Sequence, residues 1–523
     1  MLVFVGSSSS DNSGGQKSTG RGRTSTSAFG AGRREGHDAS EFYARFSPPE
    51  LSDDETVSRP PQLIDELGIG RVFNASATDM SQLPDNSVAL VVTSPPYFVG
   101  KEYELAVTGG SDDSGIPSTY IDFLEMLRDV FSECVRVLEP GGRIAVNVAN
   151  LGRKPYRSLS ADVVGILQDD LGLLLRGEVL WEKSEASSGS CAWGSFAKAS
   201  NPVLRDMTER VVIASKGRFS RAISAPKREE AGLPHVSTIT NDEFVEVTRD
   251  VWRMDPESAS RIGHPAPFPV DLPRRLIDLY TYVGDLVLDP FAGSGTTLVA
   301  AARTGRVGVG YDLDPNYVAL AEERIGTEVA RIDGVAALAE SLDDPDPELR
   351  AAAFEKLTHE DRLEHFWSLA VSESMKVADI ATARLNEAGF GDVRSSVKHP
   401  GGALEADFEV TTADGNPWYV ELGGSFTSAR PGLQRADAVW RMLGRLSVLG
   451  AHHNAPPPIV LTPALPPPGS ASDKALRAAG PAAVFDVIEL HEPAGLARLA
   501  QYASSKGSPE PIPGFWSTDD LDS

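Results

Sequence analysis

Two short segments of the chain carry residue types that suit ligand binding at the end of a strand. The first is Asp289-Pro-Phe-Ala-Gly-Ser-Gly-Thr-Thr297. Its glycines let the backbone approach a ligand closely, and the helix predicted after it offers free N–H groups. Asp312, at the end of the next apolar run, is placed to accept hydrogen bonds from ribose hydroxyls. Because the loop lacks the Lys-Ser/Thr pair of a P-loop, a nucleoside without a triphosphate fits it better.

The second segment, Thr93-Ser-Pro-Pro-Tyr97, directly follows the apolar run Val88–Val92. Two consecutive prolines fix the backbone and remove two donors, which leaves the Ser94 hydroxyl and the Pro95 carbonyl as acceptors. Tyr97 adds a flat ring beside them. Acceptors next to a stacking ring suit a planar amine, such as the exocyclic amine of a base flipped out of a duplex. A proline turn that only ends a strand is the alternative interpretation.

Apolar runs typical of buried strands alternate with helical periodicity from about residue 60 to 330. The predicted strands are Val88–Val92, Arg143–Val148, Leu286–Asp289 and Val307–Tyr311, and the clearest helix is Tyr120–Leu138. This alternation predicts an α/β fold with a Rossmann-like, doubly wound sheet. Ligands of such sheets bind at the carboxyl ends of the strands, where both segments are predicted to lie.

The pattern divides the chain into five parts. A Ser- and Gly-rich start has little apolar surface to bury and is predicted to be disordered. A smaller C-terminal α/β domain follows an acidic helical connector. The predicted bounds are 1–59 for the first tail, 60–330 for the first α/β unit, 331–372 for the connector, 373–505 for the C-terminal domain and 506–523 for a second tail.

The composition of the whole chain excludes several classes of protein. Hydrophobic residues make up 41% and charged residues 24%, which excludes wholesale disorder. No apolar run approaches the ~20 residues needed to span a bilayer. Two cysteines, Cys134 and Cys191, are too few for a disulfide framework or, alone, a zinc site, so we expect a reducing cytoplasm. The net charge of −25 argues against sequence-independent adhesion to nucleic acid over the whole surface, but allows a local basic groove.

Together the two segments resemble those of S-adenosylmethionine-dependent DNA amino-methyltransferases from bacterial restriction-modification and epigenetic systems. The resemblance covers about residues 60–330 and includes His264-Pro-Ala-Pro-Phe-Pro269 and the stretch Gly305–Ile325. The base-binding segment precedes the Gly-rich loop, as in the beta motif order of that family. The resemblance implies a DNA methyltransferase that acts on double-stranded DNA, away from membranes, with cognate restriction or defence proteins as candidate partners.

The resemblance also implies roles for individual residues. The residues that would hold the target base are Ser94, Pro95, Pro96 and Tyr97. Those that would hold S-adenosylmethionine are Phe268, Asp289, Phe291, Gly293, Gly295, Thr296 and Asp312, with Asp79 as a less direct match near the adenine. Many relatives carry Glu where this chain has Asp312, a change that preserves an acceptor for the ribose. No metal ligand is implied.

The identity of the methylated base stays open at this point. Ser94 resembles the first residue of the motif in N4-cytosine enzymes, whereas N6-adenine enzymes usually carry Asp or Asn there. We predict cytosine N4 and keep adenine N6 as the alternative. Hydrogen bonds from the amine to the Ser94 hydroxyl and the Pro95 carbonyl would direct the nitrogen lone pair toward the methyl group.

Residues 217–260 are the candidate target-recognition segment. The segment carries Arg218, Arg221, Lys227 and Arg228, which could hold phosphates while other side chains reach base edges. An ordinary solvated loop is the alternative.

The C-terminal domain resembles restriction-endonuclease-like folds of the D…E-x-K type. In such sites two carboxylates, here Asp407 and Glu421, hold Mg²⁺ and a lysine assists the attacking water. Gly423 replaces the lysine, and Lys398 is an unsupported substitute, so we predict no catalysis by this domain. A bifunctional methylase-nuclease and a DNA-binding regulator with a relic methylase fold are the alternative functions.

Overall fold

The computed structural model describes most of the chain after residue 50. The described residues are 51–97, 117, 119–150, 156–183, 194–204, 207–257, 268–342, 347–372, 375–398, 404–425, 427, 431–449, 457–507 and 509–522. They form one eight-stranded and one five-stranded sheet, each covered by helices. This arrangement confirms the predicted α/β fold with a smaller C-terminal domain.

The first sheet is almost entirely parallel. Its strands are β1 (Gly70–Asn74), β2 (Val88–Thr93), β3 (Leu138–Val148), β4 (Leu174–Lys183), β5 (Thr208–Ser215), β6 (Val251–Met254), β7 (Leu286–Asp289) and β8 (Val307–Asp312). They lie in the order β1-β8-β7-β2-β3-β5-β4-β6, and β5 runs antiparallel to both of its neighbours. The neighbouring strands β2 and β7 are buried along their whole length, as expected for parallel strands covered on both faces.

Helices cover both faces of this sheet. They are α1 (Pro61–Leu67), α2 (Tyr120–Val137), α3 (Leu159–Val164), α4 (Ala225–Glu230), α5 (Asn241–Val247), α6 (Asp271–Tyr280) and α7 (Thr296–Arg303). Val91 of β2 packs with the α2 side chain Phe123, whereas its neighbour Leu90 packs with Leu272 of α6. The alternation of strand side chains between two cores is the signature of a doubly wound sheet.

Helices make up most of the described part of the connector, and the first of them crosses the predicted boundary at residue 331. Helix α8 (Pro315–Leu342) runs unbroken across the predicted boundary, and α9 (Pro347–Lys356) and α10 (His359–Ser372) follow it. Trp367 and Ala370 of α10 are buried in the core of the C-terminal domain. The connector is therefore part of the folded structure on both sides.

The C-terminal domain contains a mixed sheet. Its strands are β9 (Gly391–Lys398), β10 (Glu405–Thr411), β11 (Pro417–Leu422), β12 (Ile459–Thr462) and β13 (Asp486–Glu489), and its helices are α11 (Val377–Ala388), α12 (Ala436–Leu449), α13 (Ala471–Ala479), α14 (Pro493–Ser504) and α15 (Thr518–Leu521). The order is β13-β12-β11-β10-β9, with β11, β12 and β13 parallel. Strands and helices thus both contribute to this domain, which agrees with its predicted α/β class.

Both predicted tails include ordered residues. Residues 1–50 lie outside the described residues, but Ser52 donates its backbone N–H to Gly217 at 2.7 Å. At the other end, Phe515 and Trp516 are buried in the C-terminal core, and the Trp516 indole donates to the Phe485 carbonyl at 2.9 Å. The predicted tail from residue 506 is therefore part of the C-terminal domain, because two large aromatic side chains anchor it.

The segment predicted to recognise DNA is built into the first sheet. Its strand β6 pairs with β4, and Arg221 and Arg228 are buried against the carboxylates of Glu139 and Asp285. The prediction that these two arginines hold phosphates is wrong, because their guanidinium groups pair inside the protein. Residues 258–260 of the segment lie outside the described residues.

Two other basic residues of that segment have different surroundings. The Arg218 guanidinium donates to the Asp54 carbonyl at 3.0 Å and lies 3.6 Å from the Glu55 carboxylate. Lys227 is exposed to solvent.

No helix among the described residues is both long and apolar enough to cross a membrane.

Replacement of Arg228 by alanine is expected to destabilise the first domain rather than to weaken DNA binding. Loss of the guanidinium leaves Glu139 and Asp285 with one buried cation instead of two, and breaking a buried pair typically costs about 3–5 kcal/mol. Urea unfolding of Arg228→Ala measures this loss, and Lys227→Ala, at the adjacent exposed position, is the control. Unchanged stability together with weaker binding of duplex DNA would restore the phosphate-binding role.

Candidate active site

The sheet brings the two sequence segments to one edge. Strands β2 and β7 are parallel neighbours, with Leu90 opposite Val287 and Val91 opposite Leu288. The residues that follow β2 and β7 therefore leave the sheet side by side. This is the carboxyl edge, where ligands of open α/β sheets bind.

The carboxylate of Asp289 joins the two segments directly. Asp289 is 1% exposed and accepts hydrogen bonds from the hydroxyls of Thr93 (2.7 Å) and Thr297 (2.8 Å) and from the N–H of Phe291 (3.1 Å). Burial raises its pKa to about 6, while the three hydrogen bonds favour the charged form. This carboxylate thus fixes the Gly-rich loop against the end of β2.

The Gly-rich loop depends on glycine at two positions. Gly293 and Gly295 have φ values of +50° and +78°, in the left-handed region that disfavours side chains. A Cβ at Gly295 would lie 2.8 Å from the Cβ of Ala321 on α8. Glycine at 295 therefore allows α8 to pack against the start of α7, whose first residue is Thr296.

Asp312 lies at the end of β8, beside the same loop. Its carboxylate accepts the N–H of Gly293 at 2.8 Å and that of Asp314 at 2.9 Å. Burial raises the pKa of Asp312, and these backbone hydrogen bonds oppose the rise. Each carboxylate oxygen has two lone pairs, so Asp312 retains capacity to accept further hydrogen bonds. The Asn74 amide donates to the Asp312 carbonyl at 3.0 Å and holds the strand end in place.

A polar network lies behind the Ser-Pro-Pro-Tyr segment. We call Ser94, Tyr97, Asn147, Lys183 and Glu209 the hydroxyl network. The hydroxyls of Ser94 and Tyr97 share a hydrogen bond of 2.8 Å, and Tyr97 also donates to Glu209 at 3.1 Å. Glu209 accepts further hydrogen bonds from Asn147 and Lys183, both at 2.6 Å. The Ser94 hydroxyl is therefore held in place, yet a hydroxyl has two acceptor lone pairs and can still accept from a base.

The structure brings most of the predicted site residues together. The residues at the ends of β2, β7 and β8 are Ser94, Pro95, Pro96, Tyr97, Asp289, Phe291, Gly293, Gly295, Thr296 and Asp312. Phe268 packs against the core beneath α6, and residues 264–267 before it lie outside the described residues. The Asp79 carboxylate accepts the N–H of Ser81 at 3.0 Å, within a turn after β1.

Sequence patterns do not reveal the residues that support the site. Thr93 and Thr297 stand at the ends of the two segments, but no sequence pattern pairs either with Asp289. Glu209 and Lys183 lie on the adjacent strands β5 and β4, 26 positions apart in the chain. The antiparallel pairing of these strands brings the two side chains together, and Glu209 in turn reaches the Tyr97 hydroxyl.

The C-terminal pair Asp407 and Glu421 also comes together, but with an arginine between the carboxylates. Glu421 is 1% exposed and accepts a 2.7 Å hydrogen bond from Arg445 of α12, whose guanidinium also lies 3.6 Å from Asp407. The Asp407 carboxylate accepts the N–H of Leu422 at 2.8 Å. Arg445 therefore supplies the positive charge that a metal ion would supply in a nuclease.

Comparison with known proteins identifies the family of the first domain. Residues 88–323 match the DNA methylase model of the N6 and N4 methyltransferases. The type II methyltransferase M.MthZI of Methanothermobacter thermautotrophicus is 30% identical over 278 residues, which cover 49% of this chain and 76% of that protein. The chain belongs to this DNA methylase family. The family match ends before the C-terminal sheet, whose resemblance to endonucleases stays a prediction.

Other DNA methyltransferases are similar to this chain over about half of its length. M.MjaI of Methanocaldococcus jannaschii is 28% identical over 288 residues, covering 50% of this chain and 93% of that protein. Among solved structures, a DNA modification methylase of Thermus thermophilus in complex with S-adenosyl-L-methionine is 31% identical, with a TM-score of 0.38, over 50% of this chain and 94% of that one. The cytosine-N4-specific PvuII DNA methyltransferase is 19% identical, with a TM-score of 0.36, over 50% and 91%.

The stability of the C-terminal domain is expected to depend on pH through Glu421. Burial and, after it, repulsion from Asp407 raise the pKa of Glu421 to about 7, above its ordinary value near 4.5. The folded state therefore holds a proton that the unfolded state releases, so the free energy of unfolding falls as pH rises from about 4.5 through 7.

Between pH 5 and pH 8, the free energy of unfolding is expected to fall less in Glu421→Gln than in the wild type, by up to about 3 kcal/mol. Urea titrations at several pH values measure it, and Glu405→Gln, an exposed position on the neighbouring strand, is the control. If the free energy of unfolding changed with pH equally in the wild type and in Glu421→Gln, the raised pKa of Glu421 would be contradicted.

Proposed function

We propose that the chain transfers a methyl group from S-adenosylmethionine to the exocyclic amine of a base flipped out of duplex DNA. The observation that carries this proposal is the Asp289 contact with Thr93 and Thr297, which fixes the Gly-rich loop beside the Ser-Pro-Pro-Tyr segment. Family membership supports the reaction class. We further propose that the unit responsible comprises the first sheet and its helices, from about residue 60 to 330.

The loop after β7 suits S-adenosylmethionine. Gly293 and Gly295 give the loop a left-handed backbone that side chains disfavour, and the Asp312 carboxylate has lone pairs for ribose hydroxyls. We assign binding roles to the remaining predicted residues, with Phe291 and Thr296 along the loop and Phe268 near the methionine end. Because Asp289 is buried and accepts three hydrogen bonds, its proposed role is to position the loop. When bound, S-adenosylmethionine supplies an electrophilic methyl group.

The Ser-Pro-Pro-Tyr segment suits the amine. The two N–H groups of the base donate to the Ser94 hydroxyl and the Pro95 carbonyl, which draws the nitrogen toward tetrahedral geometry and localises its lone pair. Pro96 keeps the backbone rigid, and the Tyr97 ring stacks on the base. Orientation of the nitrogen in line with the methyl group supplies the remaining acceleration.

The hydroxyl network orients the hydrogen-bond acceptor for this reaction. Glu209 lies two hydrogen bonds from the Ser94 hydroxyl, through Tyr97. Methyl transfer would break the methyl–sulfur bond and move its positive charge to the amine nitrogen, which then loses one proton to solvent, while the hydroxyl chain to Glu209 keeps the Ser94 oxygen oriented as an acceptor for that amine. Lys183 and Asn147 hold Glu209 in place, which limits its movement during the reaction.

Cytosine N4 is the proposed target, with adenine N6 as the alternative. The neutral hydroxyl of Ser94 accepts one hydrogen bond and adds no charge beside the cytosine ring acceptors. Duplex DNA is the proposed partner, in a restriction-modification or defence setting. The position of Arg445 between Asp407 and Glu421 disfavours the bifunctional nuclease, since its guanidinium already balances the carboxylate charge that would attract a metal ion.

Variants of Tyr97 test the base-binding site. Tyr97→Ala removes the stacking ring and is expected to slow methyl transfer about 5- to 150-fold, the equivalent of about 1–3 kcal/mol. Tyr97→Phe keeps the ring but loses the bonds to Ser94 and Glu209, so we expect a smaller loss, about 2- to 13-fold. Single-turnover transfer of a labelled methyl group to unmethylated duplex DNA measures both.

Tyr120→Phe is the matched control, because the Tyr120 hydroxyl also donates to a carboxylate, that of Asp162, which is outside the hydroxyl network. Mass analysis of the product nucleosides identifies the base. N4-methylcytosine is expected, and N6-methyladenine would select the alternative. Wild-type rates for Tyr97→Ala would show that this ring does not hold the base.

A further inference from the structure

Four potential metal ligands meet where the connector contacts the C-terminal domain. His359 is the first residue of α10, Glu489 ends β13, and His491 and Glu492 follow directly before α14. The ligand atoms of these four side chains all lie within 4.8 Å of one another. The ligands come from chain segments 130 residues apart. We call these residues the His-Glu cluster.

Existing contacts already orient two of the ligands. The His359 Nε2 atom lies 2.9 Å from the Glu489 carboxylate, which also accepts the N–H of Leu465 at 2.7 Å. The rings of His359 and His491 are 5.5 Å apart, centre to centre. Glu489 is 6% exposed, so the cluster has a buried side and an accessible side, where His359 is 43% exposed.

His491 is the observation that points to a ligand. Its side chain is 4% exposed, and neither ring nitrogen makes a hydrogen bond within the described part of the chain. Its Nε2 atom faces the Glu492 carboxylate at 3.5 Å, and its ring stacks on Phe366. A buried polar group without a hydrogen bond is costly, and a bond to a metal ion would satisfy one of these nitrogens.

We propose that the His-Glu cluster binds one divalent transition-metal ion, zinc by its ligand chemistry. Two imidazoles with carboxylate oxygens form a donor set that zinc prefers, whereas Mg²⁺ and Ca²⁺ select oxygen ligands. In a tetrahedral zinc site the ligand atoms lie roughly 3.4 Å apart, so a small closure of the cluster completes it. Metal binding requires the histidines to be deprotonated, and the cluster supplies two carboxylates, of which Glu492 accepts a 2.9 Å hydrogen bond from Arg362.

The proposed ion would fasten the connector to the C-terminal domain. His359 belongs to α10, while the other three ligands belong to the end of β13 and the turn before α14. Metal binding that requires the folded arrangement stabilises that arrangement. The site involves none of the residues assigned to methyl transfer, so it does not depend on the proposed function.

Zinc titration of the full-length protein tests the site. The protein is purified without a histidine tag, stripped with a chelator and titrated in competition with a chromophoric chelator, and bound zinc is counted by mass spectrometry. We expect one zinc per chain and a higher unfolding temperature with zinc. His359→Gln, at the accessible ligand, is expected to weaken zinc binding at least about tenfold.

His235→Gln is the matched control, since His235 is also half-exposed and lies 3.9 Å from the Glu229 carboxylate, outside the cluster. It should bind zinc as the wild type does. His491→Gln is expected to lose zinc binding as well. If His491→Gln fails to fold, the exposed variant His359→Gln alone tests the site. Less than stoichiometric zinc in the wild type, unchanged affinity in His359→Gln, or equal affinity for Mg²⁺ would overturn the proposal.

Discussion

The buried carboxylate of Asp289 is the contact on which the candidate active site depends. A carboxylate this deeply buried needs hydrogen-bond donors, and those donors come from both sequence segments: Thr93 at the end of β2, and Phe291 and Thr297 in the Gly-rich loop and helix α7. Because one charged group requires all three, the loop and the Ser-Pro-Pro-Tyr segment cannot shift independently. In-line methyl transfer requires that kind of fixed geometry.

A second set of buried charges holds the surrounding frame. Arg221 and Arg228 pair with Glu139 of β3 and with Asp285, the residue before β7, and so tie residues 217–234 to the sheet. A basic stretch that looks like a phosphate-binding surface in the sequence is therefore structural. Composition reports how many charges a segment carries, but only the fold shows which of them pair internally. The proposed role of the segment in DNA recognition would therefore depend on its other residues.

The sequence predicted the features that depend on local pattern. Strands such as Val88–Val92 and the helix from Tyr120 were found because apolar periodicity is a short-range signal. Contacts between residues far apart in the chain leave no such signal. The sequence therefore did not predict the hydroxyl network, the contact of Arg445 with Asp407 and Glu421, or the His-Glu cluster. Helix α13 and the anchoring of Trp516 were missed for a related reason. Helix α13 is rich in alanine and Trp516 is an isolated aromatic residue, so the burial of either can be predicted only when the side chains that contact it are known.

We propose that Asp289 couples cofactor binding to base positioning, and Thr297→Val tests this coupling most directly. Thr304→Val is the control, because Thr304 is also a buried threonine at the end of the same helix, with its hydroxyl bonded only to the carbonyls of that helix. The measurement is S-adenosylmethionine affinity by calorimetry together with single-turnover methyl transfer to duplex DNA. We predict that Thr297→Val lowers both, about 5- to 150-fold overall for a loss of about 1–3 kcal/mol, whereas Thr304→Val changes neither. Wild-type affinity and rate in Thr297→Val would contradict the account.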